Sequence, residues 1–225
     1  MLTNLADIWN LIPVSAFLVF CFIINYLQNN KIFLSIFRKN KQINNKEIYS
    51  SGQLIQGIIS FCLFIFLSFL MIFQIKNGIW NNIALRSVGL IYLSSDIMAI
   101  VKGKNLLQKQ TVYHHYAALG LAILVLCLDF QNSTVAQLGF VYTYTSTAAA
   151  SVHFYLSLKL YYSVKKLGVF CYWNYILTFT LNMFYQITKW PFTLHGLLYL
   201  PIALTFIWAD IKLLKYLRND TKIIQ

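Results

Sequence analysis

Residues 54–75 read LIQGIISFCLFIFLSFLMIFQI, a run without one charged side chain. A helix crosses the hydrocarbon core of a bilayer in roughly 20 apolar residues, whereas a buried strand needs far fewer, so this run predicts a membrane-spanning helix. Six further runs flank it, from about Ile8 to Leu27, Ile83 to Val101, Val112 to Leu128, Thr134 to Val164, Val169 to Thr188 and Leu194 to Leu214. Seven spans of that size use about 140 positions and leave about 85 for connections, which matches the chain without a separate soluble domain. The expected architecture is all-α and polytopic, with seven transmembrane helices. Its parts are an N-terminal span at 1–28, a basic loop at 29–48, a six-helix membrane domain at 49–218 and a tail at 219–225.

Composition agrees. Of 225 residues 59% are hydrophobic and 11% charged, with a mean hydropathy of +0.62; soluble domains carry about 25% charged residues. The net charge of +12 would suggest nucleic acid in a soluble protein, but in a polytopic one it marks the cytoplasmic face. If the spans alternate, 15 of the 18 basic residues share one side, and only Lys76, Arg86 and Lys189 lie elsewhere. The N-terminus is therefore expected in the lumen and the C-terminus in the cytoplasm, with the bilayer and not nucleic acid as partner. The first run has no Lys or Arg ahead of it and no small-residue cleavage site, so it reads as a retained helix. The fifth run exceeds what a bilayer needs and is expected to tilt, or to continue as helix past the membrane around Ser157 to Ser163. The four cysteines lie in or at the edge of these runs without paired spacing, and they read as free thiols outside any disulfide or metal site.

Polar side chains inside a span tend to face the bundle interior. The sixth run repeats Asn174, Thr178, Asn182 and Gln186 every four residues, and the fifth carries Thr143, Ser146, Ala150, His153 and Ser157 at spacings of three and four. Such stripes serve either as hydrogen bonds between helices or as the lining of an internal polar chamber. Asp96 is the more demanding case, since an acid near mid-span costs about 2.5 to 3.5 kcal/mol even on the lenient insertion scale. It lies five residues from the end of its run, about 7 Å deep at a rise of 1.5 Å per residue. His114 and His115 open the next run from the same side, so carboxylate and imidazoles reach similar depths. A carboxylate beside an imidazole fixes its tautomer and raises its basicity, as general-base or nucleophilic chemistry requires. Adjacent helical residues diverge by about 100°, so only one of the two histidines is expected to address a given reacting atom.

The segment Tyr92-Leu-Ser-Ser-Asp96, followed 18 positions later by His114-His115, resembles the core of the TLC-domain family of endomembrane proteins, which includes the ceramide synthases. Gln186-Ile-Thr-Lys-Trp-Pro191 and Trp208 extend the resemblance, which covers roughly Tyr49 to Arg218. It implies a ring of six helices, the second to the seventh spans, around a polar chamber that takes a lipid or fatty-acyl group in lipid homeostasis. It places the chain in the endoplasmic reticulum or another endomembrane. In ceramide synthases the paired histidines move an acyl group from coenzyme A, so the resemblance implies a catalytic set of His114, His115 and Asp96, with acyl-CoA as substrate and no resident cofactor. Thr143, Ser146, His153, Asn174, Thr178, Asn182 and Gln186 would line the chamber. Those enzymes also carry two aspartates in the helix corresponding to the fifth run, where this chain reads Thr145-Ser-Thr-Ala-Ala-Ala-Ser-Val-His153. The resemblance is therefore to the non-synthase branch, in which a lipid-transport or membrane-composition role stands beside acyl transfer. Val112-Tyr-His-His115 also resembles part of the histidine box of the ELO fatty-acid elongases, with Thr111 where that box has a further histidine.

Overall fold

The computed structural model describes residues 3–30, 45–103 and 109–221. Most of the expected basic loop, with Lys31, Arg38, Lys39 and Lys41, lies outside them, as do Lys104 and Lys222. The described chain forms eight helices: α1 (Thr3–Asn29), α2 (Asn45–Asn77), α3 (Asn82–Gly103), α4 (Lys109–Leu126), α5 (Thr134–Ala148), α6 (Ser151–Leu158), α7 (Lys165–Thr188) and α8 (Leu194–Thr221). Four are long and apolar enough to cross a membrane, over Leu11–Asn29, Glu47–Ile72, Asn82–Lys102 and Leu194–Thr221, and Thr111–Leu126 is a shorter apolar helix. Large apolar side chains such as Phe22, Phe69, Leu181, Phe184 and Leu197 are exposed on their outer faces, where a bilayer would cover them.

The packing order closes on itself. α2 packs on α3, α3 on α4, α4 on α8, α8 on α7, α7 on α5 and α6, and these two return to α2; α1 lies outside, chiefly against α3. α5 also touches α3, α4 and α8, so it plugs one half of the circuit with a core that includes Leu67, Leu85, Val135, Leu138 and Phe206. α6 takes no part in that core, and the other half stays hollow.

Interhelical bonds define the hollow end. Lys102 Nζ donates to Asn29 Oδ1 at 3.0 Å, tying the end of α3 to the end of α1. Ser157 Oγ donates to the Ser50 carbonyl at 2.9 Å, tying the end of α6 to the start of α2. Lys159 Nζ pairs with Asp220 at the end of α8, at 2.9 Å. Lys102, Lys109, Lys159, Lys165, Lys166, Lys215 and Arg218 accordingly gather at one end of the bundle, while Arg86 and Lys189 belong to the opposite one.

The expected unbroken fifth helix is replaced by α5 and α6 with a turn at Ala149–Ala150. Through it the backbone tightens to i→i+3 bonds, Ala150 N to Thr147 O at 3.1 Å and Val152 N to Ala149 O at 3.0 Å, the pattern of a short 3₁₀ stretch. Carbonyls loosened by the turn are taken up by α7: Asn174 Nδ2 donates to Ala148 O at 3.0 Å, and Cys171 Sγ to Ser151 O at 3.0 Å. Local sequence favours the bend too, because Thr145 and Thr147 direct their hydroxyls onto carbonyls of the preceding turn, a bond that bends helices.

At the opposite end Asp129 organises the α4–α5 loop. It accepts from Asn82 Nδ2 at 2.6 Å, from the Gln131 backbone N–H at 3.2 Å and from the Asn132 amide. The Asn82 bond is the chief cause holding this loop carboxyl below its ordinary value, with Arg86 contributing attraction. A depressed folded value makes the contribution to loop order fully present above the unfolded carboxylate range, near pH 3.9, and lost as pH falls through the folded value. Limited proteolysis at this loop is therefore expected to be flat from pH 7 to about 5 and to rise below about pH 4. Asp129→Asn should raise it between about pH 5 and 7 and remove its pH dependence; equal protection of wild type and variant at pH 7 would count against the network.

Candidate functional site

The hollow half contains a cavity of about 440 Å³, within the roughly 300 to 1,000 Å³ range of small-molecule sites. Tyr49, Gln53 and Gln56 from α2, His114 and His115 from α4, and His153 from α6 contribute polar wall, and Tyr175 and Asp210 add to it from α7 and α8. Lys159 and Lys212 bring positive charge from the basic end, while Val152, Leu156 and Leu213 supply apolar wall. Polar groups from several helices thus converge on one partly open cavity whose wall is also apolar.

Asp96 stands behind this wall. It is 0% exposed, its Oδ1 accepts from Gln56 Nε2 at 3.0 Å, and His115 Nδ1 approaches the same oxygen at 3.1 Å. That approach lies off the ring N–H direction and is not a well-formed hydrogen bond, and Oδ2 has no hydrogen-bond partner. Catalytic contacts in unliganded sites are often poorly aligned and tighten when substrate binds. In the Nδ1–H tautomer that the carboxylate favours, Nε2 is the remaining basic atom of a ring on the cavity wall. Asp96 is not itself among the wall residues; it lies behind His115, at that ring's Nδ1.

The two histidines diverge, with ring planes 83° apart and centroids 5.8 Å apart. His115 turns to the acid. His114 instead packs against Phe206 and Tyr142, at centroid distances of 5.2 and 6.4 Å, and shares the wall without a carboxylate of its own. His153 Nδ1 lies 2.9 Å from Gln53 Oε1, a bond across helices that the sequence spacing did not disclose.

Of the residues expected to line the chamber, Ser146 and His153 are in its wall. Thr143 is not: its hydroxyl donates to Gly139 O at 3.0 Å, and it borders a small crevice on the plugged side. Asn174 and Thr178 are not in the wall either. Asn174 Nδ2 is spent on Ala148 O and Ser151 Oγ, and Thr178 donates to Tyr175 O at 3.1 Å. Asn182 and Gln186 line a second cavity of about 250 Å³, in which Gln186 Nε2 donates to Leu138 O and its Oε1 accepts from Tyr199. Two of the four stripe residues, Asn174 and Gln186, thus join α7 to neighbouring helices, while Thr178 and Asn182 bond within α7. Among the described residues no group of three or more His, Cys, Asp or Glu gathers to hold a metal ion.

Asp210 escaped the sequence argument although it satisfies the criterion that singled out Asp96. It is an acid inside an apolar run, 6% exposed, and its Oδ1 accepts from Tyr175 at 2.7 Å. Gln56 was hidden as one of two amides, with Gln74, within the apolar run of residues 54–75.

Fold and cavity define a helical protein with four helices of membrane-crossing length and, inside the helix circuit, a cavity lined by both polar and apolar side chains. Comparisons with protein-family models, with curated proteins and with solved structures give no match to this chain.

Proposed function

We propose that this chain is a seven-span endomembrane protein of the TLC type that holds a lipid or fatty-acyl group in its chamber and transfers an acyl group there. In this reading α5 and α6 together form one span, the circuit from α2 to α8 is the six-helix ring, and the basic end faces the cytoplasm. The observation that carries it is the placement of His115, backed at 3.1 Å by Asp96, on the wall of a cavity of about 440 Å³.

The chemistry follows from that wall. An acceptor hydroxyl or amine gives its proton to His115 Nε2 as its oxygen or nitrogen attacks the acyl carbonyl. The thioester C–S bond breaks, and the leaving thiolate takes up the proton. Lys159 and Lys212, near the basic end, suit the phosphates of an acyl-CoA carrier. A second reading, lipid binding without catalysis, is favoured by one feature: α5 and α6 contain no acid at all.

Lipid profiles of cells expressing wild type or His115→Ala at matched levels separate the two. Acyl transfer predicts that lipids altered by the wild type return to control levels in the variant. Identical profiles, with lipid still co-purifying with the variant, would remove His115 from the chemistry and leave the binding reading.

A further inference from the structure

The second cavity, about 250 Å³, lies between α7 and α8 and is bounded by Met183, Ile187, Tyr199, Ala203, Ile207 and Asp210, among others. Its rim faces outward, since Ile187 is 71% exposed. On the proposed topology that rim lies in hydrocarbon. At the inner end stands Asp210, and both Asp210 and Tyr142 belong also to the chamber wall. Tyr142 is stacked on Phe206 at 4.0 Å, so an aromatic pair and a carboxyl group separate the two spaces.

The amides in this cavity are occupied with each other and with backbone: Gln186 reaches Leu138 O, Asn182 and Tyr199. Asp210 differs. Among the described residues it makes no ion pair, and Tyr175 alone donates to its Oδ1. A carboxyl group carries two oxygens and roughly four acceptor positions, so most of its capacity is left for a ligand. Burying such a group without donors is costly, and a site of this shape rewards one kind of occupant.

We propose that the α7–α8 cavity is a lateral binding site for a single-chain amphiphile, its tail between the two helices and its hydrogen-bond-donating head on Asp210. This rests on the membrane placement proposed above, and it adds a second ligand site with its own access from the bilayer. An amphiphile seated there presents its head at the partition of the chamber, on the side of α8, while His115 belongs to the α4 wall.

A photoactivatable diazirine analogue of a long-chain alcohol tests this with the full-length protein in lipid nanodiscs, the matched methyl ether serving as the probe without a donor. The alcohol should label α7 and α8 peptides around Met183, Ile187 and Ile207 about tenfold more than the ether, the scale of one hydrogen bond. Ala203→Leu, which fills the cavity, should abolish that labelling, and Asp210→Ala should equalise the two probes. His115→Ala should change neither result, so a failure of the acyl-transfer reading is seen separately, in the lipid profiles. Equal labelling by alcohol and ether in the wild type, or undiminished labelling of Ala203→Leu with an unchanged unfolding midpoint, would overturn the proposal. Should Ala203→Leu not fold, the comparison of the two probes on wild type and Asp210→Ala decides alone.

Discussion

Asp96→Asn is expected to lower kcat for acyl transfer by about 10²-fold while leaving KM and the unfolding midpoint nearly unchanged, and His115→Ala to lower it by about 10² to 10⁴, the usual contribution of a general base. The asparagine is nearly isosteric, and its Oδ1 still accepts from Gln56, which holds the native oxygen at 3.0 Å. Since Oδ2 of the native carboxylate has no hydrogen-bond partner, an amide nitrogen in its place costs no native bond. What the variant loses is the negative charge 3.1 Å from His115 Nδ1, which stabilises the imidazolium as the ring takes the acceptor's proton. At an effective dielectric of about 20, a unit charge at about 4 Å is worth roughly 4 kcal/mol before desolvation is subtracted. A net 10²-fold, or about 2.7 kcal/mol, is a moderate share of that.

Asp96→Leu makes the sharper control. It removes a buried acid with one unsatisfied oxygen, which favours folding, but strands Gln56 Nε2, which costs about 1 to 3 kcal/mol. These effects oppose each other, so stability should shift little while transfer falls at least as far as in Asp96→Asn. The measurement is single-turnover transfer from an acyl thioester in nanodiscs, beside thermal unfolding of the same samples. If Asp96→Leu unfolded the protein while Asp96→Asn transferred at the wild-type rate, Asp96 would be a structural residue and not one that positions the base.

Much of this site follows from counting along the chain. The depth of Asp96 in its run and the start of the next run at His114 place acid and imidazole together, because a short connection between antiparallel helices preserves depth. Which histidine meets the acid does not follow, since a divergence of about 100° leaves the choice to the packing of α4 against α3. Gln56 and Gln53 were illegible for another reason: an amide in an apolar helix reads alike whether it braces a neighbour or orients a catalytic group, and only the α2–α3 and α2–α6 contacts distinguish the cases. Asp210 was legible and passed over. The apolar runs themselves predict seven of the eight helices, with starts within four residues for α3, α4, α5, α7 and α8; α1 and α2 begin five and nine residues earlier, and α8 ends seven residues later, where polar residues extend helix beyond the apolar run. The start of α6 is the exception. No Gly or Pro marks Ala149–Ala150, and alanine is the best helix former, so beyond the hydroxyls of Thr145 and Thr147 the turn there rests on side chains of α7.

Asn174→Leu is accordingly expected to destabilise the bundle by about 1 to 3 kcal/mol, more than one interhelical bond would suggest. Such bonds average about 0.6 kcal/mol within membranes and reach about 1.7. Asn174 Nδ2 makes two, to Ala148 O at 3.0 Å and to Ser151 Oγ at 3.1 Å. The first serves a backbone carbonyl at the turn, and in hydrocarbon an unsatisfied backbone group costs several kcal/mol, less whatever a local rearrangement recovers. Leucine fills the space without supplying the donor, so α5 and α6 are expected to straighten toward a regular helix. Straightening rotates everything after Ala150, His153 included, which would leave Gln53 and the chamber wall. The variant should therefore lose lipid binding in the chamber as well as stability, whereas Asn174→Gln, which keeps a donor on a longer arm, should recover part of both. Chemical denaturation in mixed micelles reads the first effect, and co-purified lipid reads the second. A loss below about 0.5 kcal/mol with native lipid content would show that the turn is held by the α5–α6 sequence and not by α7.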